Sequence, residues 1–277
     1  MTRRDPLGAI GIVLLAAFVF VAAFGHSLAP HDGEEEVYDA EGRLARLQPP
    51  SQQFPFGTTQ YAKDVLSQTI LGTRVAILVG VLSAIATVFV GFNVGLIAGY
   101  QGGWIDDLIM RVVDITYGIP FIPFAIILVS LLQPSVWNII LTISLLFWRT
   151  TARIIRAQVL TLKARPFVTS ARAAGAGPMR IMYLHIAPNV FPLALLYVAL
   201  GVGTGVLTEA GLAFLGFGDP RMVSWGGMLN VAFQTGSIRT AWWWVIPPGI
   251  GIALFVISTF LVGRAYEEIV NPRLRER

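Results

Sequence analysis

The sequence predicts an all-α, polytopic membrane fold with six transmembrane helices. Three observations carry that reading. The 277 residues are 55% hydrophobic and only 13% charged, with a mean hydropathy of +0.68, whereas a soluble domain carries about 25% charged residues. The apolar residues are gathered into long uncharged runs rather than spread along the chain. Lys and Arg cluster beside some of those runs and not others, which is the asymmetry that orients a multi-pass chain.

Composition also excludes several chemistries. There is no cysteine, so disulfides, iron–sulfur clusters and thiol catalysis are unavailable. The only lysines are Lys63 and Lys163, which follow Ala62 and Leu162, so neither sits in a GxxxxGK[ST] phosphate loop. The formal charge of +4 lies beside the spans and does not point to nucleic acid.

Residues 7–24 form the first span, 18 residues without a charge, long enough to cross a bilayer. Arg3 and Arg4 precede it. The run is longer than a signal-peptide core, so an uncleaved anchor is expected. A signal peptide cleaved near VAAFG is the alternative. Residues 26–67 are polar, with Asp32, Glu34, Glu35, Glu36, Asp39 and Glu41 close together and Pro49 and Pro50 after them. This reads as a solvated outer segment, with a metal site at His26 and His31 as the alternative. Its end is predicted to be a turn leading into an amphipathic helix before the second span.

Residues 75–99 are the second span, 25 residues without a charge, with Asn93 and several glycines suited to close helix packing. GYQGGW at 99–104 is an interfacial turn. Asp106 and Asp107 then open a helix and complement its N-terminal dipole, a metal-binding pair being the alternative. Between Asp114 and Arg149 lie 34 uncharged residues interrupted by Gln133, Pro134 and Ser135. Two spans are expected there, at about 108–132 and 136–152, the first bent by Pro120 and Pro123. Arg149, Arg153 and Arg156 fall on one face of the second, placed to anchor at anionic headgroups. The fifth span is 190–207, with Glu209 just past it. An acid beside apolar membrane segments is a candidate functional group. The sixth span, 242–263, opens on three tryptophans and on Pro247 and Pro248.

The polar stretch 167–189, FVTSARAAGAGPMRIMYLHIAPN, stands apart from these runs. Residues 167–174 are rich in Ala and form helix readily. Gly175 suits a helix C-terminal cap with positive φ. Gly177 and Pro178 suit an N-cap and a first helical residue. Ile181, Met182, His185 and Ile186 recur at helical spacing, and Pro188 is expected to stop that helix. The prediction is helix, tight turn, helix: a compact knob with a basic face from Arg165, Arg172 and Arg180.

This stretch resembles the EAA loop of ABC importer permeases. That pattern is Glu-Ala-Ala, three residues, Gly, nine residues, then Ile-x-Leu-Pro. Thr169, Ser170 and Ala171 occupy the triplet, Gly175 the glycine and Pro188 the proline. Thr169 replaces the Glu, His185 stands at the Ile and Ala187 replaces the Leu. Other blocks are similar to dipeptide and oligopeptide permeases: FPFGT and KDVLS at 54–58 and 63–67, departing at Thr59 and Ala62; the run through Asp106, Arg111 and Asp114; Glu209 with AGLAFLGFG after it; SWGGML at 224–229; and the tail from Asn271, where the family has Asp. The resemblance implies a type I ABC importer permease fold of the C-type subunit in the dipeptide, oligopeptide and nickel family. It implies an anchor and extracytoplasmic segment at 1–72 and a permease domain at 73–277, with the coupling loop at 165–189.

On that resemblance, Thr169, Ser170, Ala171, Arg172, Gly175, Pro178, His185 and Pro188 dock onto a cytoplasmic ATPase. Asp106, Arg111, Asp114 and Glu209 are candidate structural or gating residues. The implied partners are a homologous permease, two ATP-binding subunits and an extracytoplasmic binding protein. ATP and magnesium belong to the partner subunits, with no cofactor, metal or catalytic residue on this chain. The implied activity is peptide import, with nickel or another small solute as the alternative. An intramembrane enzyme would need His or paired carboxylates at span centres, which the six spans lack. A membrane scaffold would need no knob. The basic blocks at 149–180 and 264–277 hold seven and four Lys/Arg, and the segment 26–67 is acidic. Six spans with both termini cytoplasmic in the inner membrane place all the basic blocks on one side.

Overall fold

The computed structural model describes residues 6–270; Arg3, Arg4 and the tail 271–277 lie outside the described residues. Ten α-helices run in order: α1 (Pro6–Leu28), α2 (Val65–Gln101), α3 (Gly103–Tyr117), α4 (Phe121–Leu132), α5 (Val136–Lys163), α6 (Pro166–Ala173), α7 (Pro178–Arg180), α8 (Ala187–Leu212), α9 (Trp225–Gln234) and α10 (Trp242–Val270). Among the described residues five helical segments are long and apolar enough to cross a membrane, and α3 with α4, bent by 90° at the break between them, brings the number to six if the pair is one span. The chain is therefore a multi-pass membrane protein.

The bundle is organised on α2 against α5, its most extensive helix pair. Gly91, Gly95 and Gly99 present one bare backbone face per turn toward α5. A Cβ at Gly95 would stand 2.4 Å from the Ala152 carbonyl oxygen and 2.9 Å from Ile155 Cβ. Lipid is as apolar as a leucine side chain, so helices in a bilayer attract chiefly by close packing of this kind. α8 also packs on α2, and α10 on α8. α1 lies across α10 and α2 and buries only Gly8, Gly11 and Gly25.

Several expectations need correction. The region before the second span is not a separate amphipathic helix. α2 starts at Val65, capped by Asp64, whose carboxylate accepts the Ser67 N–H at 3.0 Å. The third span is not one bent helix over 108–132, because α3 and α4 meet at 90°. Pro120 lacks an N–H and forces the residue before it out of helical conformation. Pro123 sits in the first turn of α4, where a missing donor costs nothing. α5 does not stop at 152 but runs to Lys163. Its extension is amphipathic, burying Ala152, Ile155 and Val159.

Pro188 does not end a helix. A π turn, Ile181–Ile186, precedes it, and the Ala187 N–H reaches the Met182 carbonyl five residues back. The wide turn carries the preceding carbonyls away from the proline ring, so the chain remains one helical rod, Pro178–Phe217. Glu209 lies inside this rod rather than past it and is 2% exposed.

The segment between α1 and α2 has its own small core of Val37, Ala45 and Phe54. The Val37 N–H donates to the Ala62 carbonyl at 2.7 Å, and the Thr58 N–H to the Gln48 carbonyl at 2.9 Å. The Trp243 indole N–H donates to the Thr58 carbonyl at 3.2 Å and ties this lobe to α10. The acidic residues stay on its outside, with Asp39 accepting from the backbone and side chain of Arg43.

Candidate functional site

The knob expected at 165–189 is present at the end of the bundle where α2 and α5 finish. Pro166 opens α6, and Gly175 closes it with φ +81. The Gly175 N–H donates to the Arg172 carbonyl and the Ala176 N–H to the Ala171 carbonyl, both at 3.0 Å. These are the paired bonds of a Schellman motif, which requires the left-handed residue between them. Gly177 then caps the rod and Pro178 is its first helical residue.

The knob has a root and a tip. Val168, Ile181, Met182 and Ile186 are almost fully buried in one cluster with Leu96 and Tyr100 of α2 and Ile155 and Val159 of α5. Thr169, Ser170, Arg172, Gly175, Pro178 and Pro188 are exposed, while Ala171 and His185 are half-buried. Thr169 Oγ1 donates back to the Arg165 carbonyl at 3.3 Å, so the residue at the family's Glu position offers no charge. Phe167, Met179 and Leu184 are exposed beside Arg165, Arg172 and Arg180. A convex surface mixing free guanidinium groups with large apolar side chains fits a protein groove better than bulk water.

The candidate gating residues fall into two groups. Asp106 is in the first turn of α3, as its helix-dipole role requires. It is also 6% exposed and accepts from Arg156 Nε and Nη2, the Nη2 to Oδ2 distance being 2.6 Å. Asp114 pairs with Arg153 at 2.6 Å. The arginine face of α5 therefore meets carboxylates of α3 rather than headgroups. Arg149 donates to the Thr116 carbonyl and lies 4.6 Å from the centre of the Tyr117 ring. Arg111 is exposed and makes no ion pair among the described residues. Glu209 sits apart from these groups, near the Ser224 hydroxyl. Sequence reasoning missed Tyr117 and the pairing itself. The available signal was complementary: three arginines on one face of a helix, and two carboxylates eight residues apart on the helix before it.

At the opposite end of the bundle, the 29–64 lobe and the segment after the rod line an open cavity of about 540 Å³. Glu36, Tyr61, Lys63, Asp219, Asn230 and Trp244 are among its lining. Lys63 pairs with Glu34 at 2.6 Å. Asp219 accepts from Arg221 and from the Val136 N–H. The Arg221 hydrogen bonds hold its carboxyl down at about 2, so it is ionised at any physiological pH.

Two family models match the chain. The model for binding-protein-dependent transport system inner membrane components matches residues 91–276. The model for the N-terminal transmembrane domain of oligopeptide transport permease C matches residues 2–50. The chain is 32% identical over 274 residues to the dipeptide transport system permease protein DppC of Alkalihalophilus pseudofirmus, covering 99% of this chain and 88% of that one. It is 35% identical over 232 residues to a putative peptide permease protein of Brucella suis, covering 83% and 76%. It is 30% identical over 275 residues to the oligopeptide transport system permease protein OppC of Bacillus subtilis, covering 99% and 88%.

Proposed function

The chain belongs to the family of binding-protein-dependent transport system inner membrane components, and from that premise we propose that it is a permease subunit of an ATP-driven peptide importer. The observation that carries this is the knob: an exposed, basic turn rooted in the bundle and continuous with a spanning rod. Such a surface can receive a push and pass it into the membrane. Residues 165–189 dock onto a cytoplasmic ATPase, with Thr169, Ser170, Arg172, Gly175 and Pro178 at the contact. Ala171, His185 and Pro188 shape the turn behind it. ATP and magnesium are bound by two such ATPase subunits. A homologous permease completes the path, and an extracytoplasmic protein delivers the peptide. The names of the relatives support the peptide assignment. Residues 1–72 act as anchor and outer segment, and 73–277 as the permease domain.

Mechanism follows as alternating access. Closure of the ATPases displaces the knobs, and the spans rock about a central path. No residue of this chain makes or breaks bonds in the substrate. Affinity purification of the subunit expressed with its operon is expected to recover a second permease and an ATPase. Recovery of a stable, transporting monomer would sink the proposal.

The basic end faces the cytoplasm in this reading, as do both termini, and the cavity faces outward to the binding protein. Glu35 is exposed in the outer lobe, and Met222 is 36% exposed in the loop after the rod. Glu35→Cys and Met222→Cys should each label with an impermeant thiol reagent in intact cells whose outer membrane, if any, is permeabilised. The parent has no cysteine and gives a clean background. Labelling of both only after lysis would invert the topology.

A further inference from the structure

The cluster at the elbow of α3 and α4 lies too deep to meet headgroups. The Val136 N–H donates to Asp219 of the loop after the rod at 3.3 Å, and Asp219 pairs with Arg221, whose side chain is 74% exposed, so the start of α5 lies next to the surface. Arg149 is the fourteenth residue of this 28-residue helix. At 1.5 Å per residue it stands roughly 20 Å inward, about 10 Å short of crossing a 30 Å hydrocarbon layer. Its guanidinium is not free to reach for the interface, because it is held by the Thr116 carbonyl and the Tyr117 ring. Arg153 lies 4.4 Å from the centre of the same ring and pairs with Asp114. The Tyr117 hydroxyl and Thr150 Oγ1 are 3.1 Å apart.

This polar set is open on the surface of the chain, with the Arg153 and Asp114 side chains 51% and 66% exposed. By the same rise Arg153, the eighteenth residue of α5, stands about 5 Å short of the far boundary, and an ion pair facing lipid inside the hydrocarbon is costly, so the surface must meet protein or water. Burying it against protein would also desolvate the ion pair. We propose that Tyr117, Arg149, Thr150 and Arg153 line a water-filled path at the elbow and offer a transient site for a carboxylate. The site carries two guanidinium groups against one carboxylate, and Arg149 has no acidic partner among the described residues. Its fork suits a passing carboxylate, such as the C-terminus of a peptide. This inference rests on the importer reading above.

The test uses the complete complex with Thr150→Cys, cysteine-free partners and an impermeant thiol reagent applied from either side of vesicles. Labelling from the binding-protein side should be at least about tenfold faster in the ATP-vanadate-trapped state than without nucleotide. From the ATPase side the order should reverse. Val13→Cys, in the middle of α1 and 67% exposed in the isolated chain, should stay unlabelled. No labelling of Thr150→Cys in either state means a protein-covered face and overturns the inference. So does labelling from the ATPase side alone in both states, which means headgroup water. Arg149→Gln should lower peptide uptake about tenfold, the worth of one charge-assisted hydrogen bond, with the Thr150→Cys pattern unchanged. Unchanged uptake removes the carboxylate site. Failure of the parent complex to import peptide would instead strike the importer reading.

Discussion

Gly175→Val is expected to leave the subunit in the membrane and paired with its partner permease, while abolishing substrate-stimulated ATP hydrolysis and uptake. The backbone there has φ +81, and no atom lies within 4 Å of the place where a Cβ would be added. The substitution therefore meets no clash. It meets a left-handed conformation that a β-branched residue adopts poorly, at a cost on the order of 1–3 kcal/mol. The turn can escape by giving up its two Schellman bonds, which re-aims α6 against the rod. The buried root, Val168 with Ile181, Met182 and Ile186, is untouched and keeps the bundle whole. Gly42 is the matched control, because it has φ +74 and equally open surroundings. Gly42→Val imposes the same kind of strain in the outer lobe and should retain coupling. Thr169→Ala should also be mild, since that hydroxyl only bonds its own helix. ATPase activity of the reconstituted complex, with and without loaded binding protein, decides it. If Gly175→Val couples like the parent, the knob is an ordinary connector.

Gly95→Leu should fail one step earlier, at folding and assembly. Its Cβ alone would fall 2.4 Å from a backbone oxygen of α5, 2.9 Å from Ile155 Cβ and 3.0 Å from the Arg156 nitrogen. Backbone cannot rotate away as a side chain can, so α2 and α5 must separate along their whole contact. Inserting even one methylene into a packed core costs about 1–3 kcal/mol, and four carbons against backbone cost more. Arg156 would also be moved away from Asp106. Membrane abundance should collapse, and any solubilised protein should melt well below the parent. Gly211→Ala is the comparison: it is also helical, with nothing within 4 Å of the added Cβ, and should be neutral or slightly stabilising. Normal abundance and melting of Gly95→Leu would mean that the two helices do not pack on this stripe.

The elements legible in the sequence were those set by local chemistry. Uncharged runs located the crossings because hydrocarbon tolerates little else. Gly175 and Pro178 located the knob because positive φ and a first helical turn have distinctive residues. The errors share a cause: a local rule was applied where a distant partner decided the outcome. Arg153 and Arg156 were expected to end the apolar part of a span, yet carboxylates of α3 meet them and α5 continues. Pro188 was read as a stop, yet a π turn makes room for it. Pro120 was read as a bend within one span, yet with Gly118 before it the chain turns through a right angle. Glu209 was placed outside the rod because it is charged, yet the fold encloses it.

The rod Pro178–Phe217 has a mechanical consequence. About 60 Å of helix, at 1.5 Å per residue, joins the knob at one end to the loop carrying Asp219 at the other. No slack connector lies between them to absorb a displacement. Its glycine joints lie at the ends, at the turn through Gly175 and at Gly216, whose φ of +94 breaks the last turn. On the proposed mechanism a stroke delivered at Pro178 would arrive beside the cavity at the other end with little loss, and contact made at that cavity would be felt at the knob. One member of the bundle would thus serve as push-rod and sensor at once, and its two glycine joints would set how stiffly fuel consumption and cargo arrival are tied together.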